Sequence, residues 1–255
     1  MASRKVKGIC HICGINIELT YEHVPPRKAF NSKPVFYQDL QDLLEDQNFL
    51  DSSQGKPNQK GVGGYTLCER CNTTTGSWYG TAYVDWTYKA MNVLKYTRGK
   101  PSIYYPFYIF PLRVIKQIIC MFFSTNGSEF QKNHPDLVKF VLDRKARHLA
   151  QDIQICAFYN TSPRSRQSGI AGIFSSRGQH HFSEIAFLPF GYVMTFDSTP
   201  PDERMCDISC FADYGFNDWK NLSLNLPILP IYSYLPGDYR TKEELDKILP
   251  SMSDE

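Results

Sequence analysis

Two widely separated Cys-x2-Cys pairs are the feature that most constrains how this chain can fold. The first pair is Cys10 and Cys13, and the second is Cys68 and Cys71. Two close pairs of thiolates can complete one tetrahedral site, which has the geometry and softness that zinc prefers. The sequence therefore predicts one structural Zn2+ that joins the chain near residue 10 to the chain near residue 70.

The segment between and after these pairs carries polar residues that suit chemistry rather than structure alone. Glu22 directly precedes His23 in the segment YEHVPP, and Asn72 follows the second pair in LCERCN. A shared zinc would bring these three side chains together. Carboxylate and amide oxygens are hard ligands for a divalent cation, and a neutral imidazole is a base. The pattern predicts a site that activates water, as in a metal-dependent nuclease.

Residues 8–80 resemble the HNH endonucleases, also called the ββα-metal or His-Me finger group, in the branch whose finger is stapled by four cysteines. Five elements agree in order, namely C-x2-C, EH-x-x-P, an apolar residue before the second pair, C-x2-C and Asn. The resemblance implies that His23 is the general base and that Glu22 and Asn72 bind a catalytic Mg2+ or Mn2+. It also implies an enzyme that hydrolyses DNA phosphodiester bonds, and a defence effector is one such role in this family.

The chain departs from the family pattern in two places. About 44 residues separate His23 from Cys68, which is more than a minimal finger needs. The middle Asn or His of the family has no unambiguous match. Asn58 is the first choice for it, and Asn48 is the second.

Local patterns predict the strand, loop, strand, helix order of such a finger. Residues 17–21 form a short strand that ends at the Glu-His step, where two prolines stop it. Residues 36–50 have helical spacing of apolar side chains and predict an inserted helix, whereas the Gly-rich segment 51–64 predicts a loop. Residues 65–67 are then a second strand, and a helix begins near Cys71.

The rest of the chain predicts helices first and strands afterwards. Helices are expected at 81–96, from Pro111 and from Pro135, and short strands from residue 153 onward. The predicted fold class is α+β, a small zinc-stapled finger followed by a larger helix-then-sheet domain. We expect residues 1–100 to form the nuclease domain, and residues 101–255 to form a domain for sensing, docking or specificity that could bind a regulatory partner or a second copy.

Composition restricts the class of protein but does not select a function. Residues 1–100 contain 13 Lys and Arg against 9 Asp and Glu, whereas residues 101–255 contain 15 against 17. A modest basic excess beside the predicted site suits contact with phosphates. The sequence shows neither an apolar run long enough to span a membrane nor an apolar export signal. We therefore expect a cytoplasmic protein with no membrane partner, in which the paired cysteines bind a metal.

Two alternatives stay open at the level of sequence. The chain could be a non-catalytic zinc-finger module that binds nucleic acid or protein, although such a module needs neither the Glu-His step nor Asn72. A second metal site could form from His180, His181, Cys206 and Cys210, but a C-x3-C spacing without a partner pair usually means two core thiols.

Overall fold

Helices and strands both build the molecule, which confirms the α+β class. The structure is a computed structural model that describes residues 6–37, 39, 55–96, 99–175 and 178–248. The described strands are β1 (Val6–Ile9), β2 (Asn16–His23), β3 (Val35–Tyr37), β4 (Lys56–Asn58), β5 (Gly63–Cys68), β6 (Ser102–Ile109), β7 (Ile153–Tyr159), β8 (Arg166–Ser175), β9 (Gly178–Phe187), β10 (Phe190–Phe196), β11 (Cys206–Asp207) and β12 (Lys220–Pro227). The described α-helices are α1 (Glu69–Thr75), α2 (Thr81–Leu94), α3 (Pro111–Thr125), α4 (Phe130–Asn133), α5 (Pro135–Leu142) and α6 (Lys242–Ile248).

Two short helices of other kinds complete the described elements. A π-helical turn, Gly76–Gly80, joins α1 to α2 without a break, and a 3-10 helix spans Ser209–Asp213. None of the described helices combines the length and the apolar character that crossing a membrane requires.

The N-terminal part is a three-stranded antiparallel sheet in the order β1-β2-β5, followed directly by a helix. The predicted strand at 17–21 extends from Asn16 to His23, and the predicted strand at 65–67 extends from Gly63 to Cys68. The helix begins at Glu69, slightly earlier than predicted, because the Cys68 sulfur caps it by accepting a hydrogen bond from the Cys71 backbone N–H. The strand, loop, strand, helix order is therefore present.

Gly63 allows β5 to approach the end of β2 that carries the Glu-His step. It lies opposite His23 in the ladder, and a Cβ atom on it would come 2.0 Å from the backbone oxygen of Glu22. A side chain at this position would push the two strands apart. The glycine thus fixes the position of the step relative to α1, since α1 continues directly from β5.

The segment between β2 and β5 differs in part from the prediction. Residues 36 and 37 lie in β3, which pairs antiparallel with β4, so the predicted helix does not begin at residue 36. The rest of that predicted helix falls on residues 38–50, and residue 39 is the one of these that lies in the described part of the chain. The predicted loop at 51–64 contains β4 and the first residues of β5. Cross-strand pairing of the Val-Phe-Tyr segment overrides its helical spacing, because β-branched and aromatic residues suit a strand.

Helix α3 lies at the centre of the core. It packs against the π-helical turn, α2, α5, the 3-10 helix, and strands β5, β8 and β9. Of its 15 residues, 13 are buried. A helix that is buried on nearly every side connects the elements around it, and here these elements come from both halves of the chain.

The C-terminal part is built on a five-stranded antiparallel sheet in the order β11-β7-β10-β9-β8, and β6 pairs with β12 in a separate ribbon. Trp86 of α2 joins this sheet to the N-terminal part. Its ring stacks on Phe190 with centroids 4.8 Å apart, and its Nε1 donates to the Tyr192 hydroxyl at 2.9 Å. One hydrophobic core therefore contains buried residues from both sides of residue 100. The assignment of separate roles to 1–100 and 101–255 stays a prediction.

Replacing Trp86 with Ala should lower the free energy of unfolding by about 3–5 kcal/mol, because the indole is fully buried and the cavity cannot be refilled. Denaturant unfolding followed by circular dichroism measures this loss. Tyr96→Ala is the control, since that ring is 88% exposed, and a change of less than about 0.5 kcal/mol is expected for it. Equal effects of the two substitutions would contradict the packing described here.

Candidate zinc cluster and adjoining pocket

The two cysteine pairs meet in one cluster, as the sequence predicts. The sulfur atoms of Cys10, Cys13, Cys68 and Cys71 all lie within 4.8 Å of one another. Three of the four residues are buried, and Cys13 is partly buried. The Cys13 and Cys68 sulfurs are 3.9 Å apart. Four Zn–S bonds of about 2.3 Å in a tetrahedron require sulfurs about 3.8 Å apart, so the group could hold a metal ion such as zinc with small adjustments.

Local backbone structure positions the first pair. The turn after Cys10 closes through a hydrogen bond from the Gly14 N–H to the Cys10 carbonyl, and Gly14 adopts φ 71°, which favours glycine. The Cys68 backbone N–H points at the Cys10 sulfur, 3.3 Å away. A hydrogen bond from the Cys71 thiol, together with the backbone N–H groups of Cys13, Cys68 and Ile12, lowers the pKa of Cys10 to about 4 against the opposing effect of burial. The fold therefore favours a thiolate at Cys10.

The four residues considered for a second metal site do not form one. Within the part of the chain that the structure describes, the cysteine cluster is the one group of three or more Cys, His, Asp or Glu close enough to share an ion. Cys210 is exposed, whereas Cys206 is partly buried and packs against the hydrophobic core. His180 is buried, and its Nδ1 contacts the backbone oxygen of Thr199 at 3.0 Å.

The purified protein should contain one zinc per chain, and Cys68→Ser should remove it together with much of the protein's stability. A structural zinc contributes on the order of 10 kcal/mol of apparent folding free energy in small domains. Elemental analysis and thermal unfolding measure the two effects. Cys210→Ser is the matched control because that thiol is exposed and outside the cluster. Full zinc content in Cys68→Ser would contradict the assignment.

A cavity of about 530 Å³ lies beside the cluster, and the predicted site residues Glu22, His23 and Asn72 all line it. Strand β2 supplies the first two residues, and α1 supplies the third. Arg27 and Lys28, which follow β2, stand exposed at the same cavity. The fold therefore brings the amide of Asn72 to an acid, an imidazole and two cations that lie about 44–50 residues earlier in the sequence.

The Glu22 carboxyl group is partly buried in this cavity. Loss of solvation raises its pKa from 4.5 to about 7, and the neighbouring Asn72 side chain acts in the opposite direction. The Asn72 Nδ2 donates to the Thr20 hydroxyl at 3.0 Å, which orients the amide. A carboxylate held away from water gains strongly from a bound cation, because the cation replaces the lost hydration. Glu22 and Asn72 thus fit the chemistry of a divalent cation site.

His23 is more exposed than Glu22 and is held by its strand neighbours. Its ring meets the Tyr21 ring edge-on, with centroids 5.0 Å apart. Burial lowers the pKa of His23 below its ordinary value of 6.5, and the positive charges of Arg27 and Lys60 add to this shift, whereas the Lys60 backbone opposes it. The imidazole is therefore neutral at neutral pH, which is the state that accepts a proton.

The assignment of the middle position to Asn58 or Asn48 stays a prediction, and the structure shows a third asparagine, Asn31, in the same segment. The Asn58 amide donates to the Tyr21 hydroxyl at 2.9 Å, and Asn48 lies outside the described residues. Asn31 is buried and donates to the carbonyl oxygens of Pro25 and Val62 at 2.7 Å, and its own oxygen accepts from the Val62 N–H. It ties the chain after His23 to the start of β5. The sequence signal that could have identified Asn31 is its place in the loop segment Asn-Ser-Lys-Pro, because Asn side chains commonly hydrogen-bond to the backbone in loops.

Sequence analysis also missed Gln117 of α3, which lines the cavity. It lies within an apolar helix pattern, so nothing in the pattern separates it from a core position. Gly76 and Gly80 of the π-helical turn line the cavity as well. π-helical turns are often found at functional sites.

Glu22→Gln should stabilise the protein at high pH. The pKa of Glu22 in the folded state lies above its ordinary value of 4.5, so this group makes its full contribution to the free energy of unfolding below pH 4.5. That contribution is lost as the pH rises through about 7. With zinc bound and no other divalent cation added, we expect the variant to exceed wild type by about 1–3 kcal/mol at pH 8, a range reduced for partial exposure. At pH 4 the free energies of unfolding of wild type and Glu22→Gln should differ little. Denaturant titrations at both pH values test this, and an equal difference at both would contradict it.

Comparisons of the chain with protein-family models, curated proteins and solved structures found no significant match.

Proposed function

We propose that this protein is a metal-dependent endonuclease that hydrolyses DNA phosphodiester bonds. The observation that carries the proposal is the convergence of Glu22, His23 and Asn72 on one cavity next to the four-cysteine cluster. A structural zinc knuckle needs none of these three side chains. These side chains are of the types that the resemblance to the HNH group requires, namely one general base and two oxygen ligands for a metal ion.

His23 activates the attacking water. Its neutral imidazole takes a proton from a water molecule as the water oxygen bonds to phosphorus. The bond from phosphorus to the leaving 3′ oxygen breaks, and that oxygen takes up a proton from solvent. By resemblance to the HNH group, the products carry 5′-phosphate and 3′-hydroxyl ends.

Glu22 and Asn72 would hold a Mg2+ or Mn2+ ion through side-chain oxygens. When bound, such an ion supplies positive charge that stabilises the scissile phosphate and the leaving oxygen. The raised pKa of Glu22 means that this carboxyl group must lose a proton to bind the ion, so binding strengthens as the pH rises toward and above about 7.

The cations around the cavity support a polyanionic substrate. Arg27 and Lys28 are exposed at its edge. Lys60 lies near His23, with its Nζ 4.9 Å from the centroid of the Tyr21 ring. These charges attract a phosphodiester backbone without reading its sequence, and they keep the His23 pKa low. We place the activity in the cytoplasm, where the cysteine thiols stay reduced for metal binding.

His23→Ala should reduce plasmid cleavage in Mg2+ or Mn2+ by at least about 100-fold, because a general base contributes in this range. Zinc content and thermal unfolding should stay close to wild type, since the imidazole is not a cluster ligand. Wild-type cleavage should fall as the pH is lowered through the His23 pKa, which lies below 6.5. His181→Ala is the control, because that ring is exposed and does not line the cavity.

The non-catalytic alternative predicts a different set of results. A zinc-containing wild-type protein that binds nucleic acid but cleaves neither DNA nor RNA would refute the nuclease proposal. Cleavage of RNA alone would correct the substrate and keep the reaction. Cleavage retained in His23→Ala would assign the base to another group.

A further inference from the structure

We propose that Gln117 of α3 is a third protein ligand of the divalent cation, contributing its Oε1 oxygen beside Glu22 and Asn72. This inference rests on the proposed function above. It places part of the metal site on a helix that follows residue 100, well beyond the segment that resembles the HNH group.

The first observation is an unsatisfied polar atom. Gln117 is 2% exposed, and its Oε1 has no hydrogen-bond partner in the described structure. A buried carbonyl oxygen without a partner destabilises the folded state. The preceding residue, Lys116, is also buried, but its Nζ donates to the Asp143 backbone oxygen at 2.6 Å. Of these two adjacent buried polar residues on an apolar helix, Lys116 has a hydrogen-bond partner, whereas the side-chain oxygen of Gln117 has none among the described residues.

The second observation is the position of this residue. Gln117 lines the same cavity as Glu22, His23 and Asn72. Helix α3 therefore contributes to the lining of a cavity whose other site residues come from β2 and α1.

The third observation is the absence of side chains on the π-helical turn beside the amide. Gly80 lines the cavity, and a Cβ atom on it would come 3.9 Å from Gln117 Oε1, its single neighbour within 4 Å. Gly76, also at the cavity, has no neighbour within 4 Å of such an atom. The turn thus places no side chain next to the buried amide oxygen.

The chemistry of the donor set fits a hard divalent cation. One carboxylate and two carboxamide oxygens are typical ligands of Mg2+ and Mn2+, which complete their six positions with water. A neutral third ligand adds no charge repulsion to the buried carboxylate of Glu22. Occupancy of the site would satisfy both the carboxylate and the orphaned amide oxygen.

The test is Mn2+ binding to the zinc-loaded full-length protein, measured by isothermal titration calorimetry at pH 8. Gln117→Met keeps the length of the side chain and removes the oxygen. We expect it to weaken Mn2+ binding by about tenfold or more. Without Mn2+, its unfolding temperature should equal or exceed that of wild type, because an unsatisfied buried oxygen is gone. A purely structural glutamine would show the reverse, a lower unfolding temperature with unchanged affinity.

Thr125→Val is the matched control. Thr125 lies on the same helix, and its hydroxyl is also buried without a partner, but it does not line the cavity. Its loss should leave Mn2+ affinity unchanged. Gln117→Glu retains an oxygen at the same position and should bind Mn2+ at least as tightly as wild type, which provides a test even if Gln117→Met does not fold.

The outcomes separate this inference from the proposed function. If Glu22→Gln weakens Mn2+ binding but Gln117→Met does not, the cation site exists and Gln117 is not part of it. A similar loss in Gln117→Met and Gln117→Glu would also overturn the inference. If wild type binds no Mn2+, or if Glu22→Gln leaves binding unchanged, the cation site itself is absent and both proposals fail.

Discussion

Burial of α3 is the constraint on which the rest of the structure depends. Removing 13 of its 15 residues from water provides a large part of the hydrophobic stabilisation, and the elements that cover them come from both halves of the chain. The π-helical turn and α2 cover one part, and the five-stranded sheet covers another. The finger is therefore supported by the core as well as by its thiolates, which explains how it can carry a long insertion between its strands.

Polar groups at the edge of this core carry the chemistry that we propose. Glu22 is pushed toward its neutral form by burial, whereas His23 is kept neutral by burial and by neighbouring cations. In the proposed nuclease these two shifts would have opposite consequences. The neutral His23 would accept a proton, whereas Glu22 would need a bound cation to stay charged, so metal binding and catalysis would be coupled through the same cavity.

The groups that we propose to bind the cation lower the stability of the fold. Glu22 and Gln117 each place a polar group where an apolar side chain would cost less free energy. The cysteine cluster and α3 supply the rigidity that holds these groups in place without a ligand. A scaffold of this kind can keep a preorganised site, since the unfavourable groups are few and the buried apolar surface around them is large.

The sequence by itself determined the cysteine cluster, the Glu-His strand end and the helices that begin at Pro111 and Pro135, because spacing and proline placement are local signals. It did not determine the short β3 and β4 pairing, since cross-strand contacts decide between strand and helix in such short segments. Tertiary structure alone identified Asn31 as the residue that ties the loop, because its partners lie far along the chain. Tertiary structure alone also placed Gln117 at the cavity, because the pattern of an apolar helix does not distinguish a glutamine that lines a cavity from one that lies in the core.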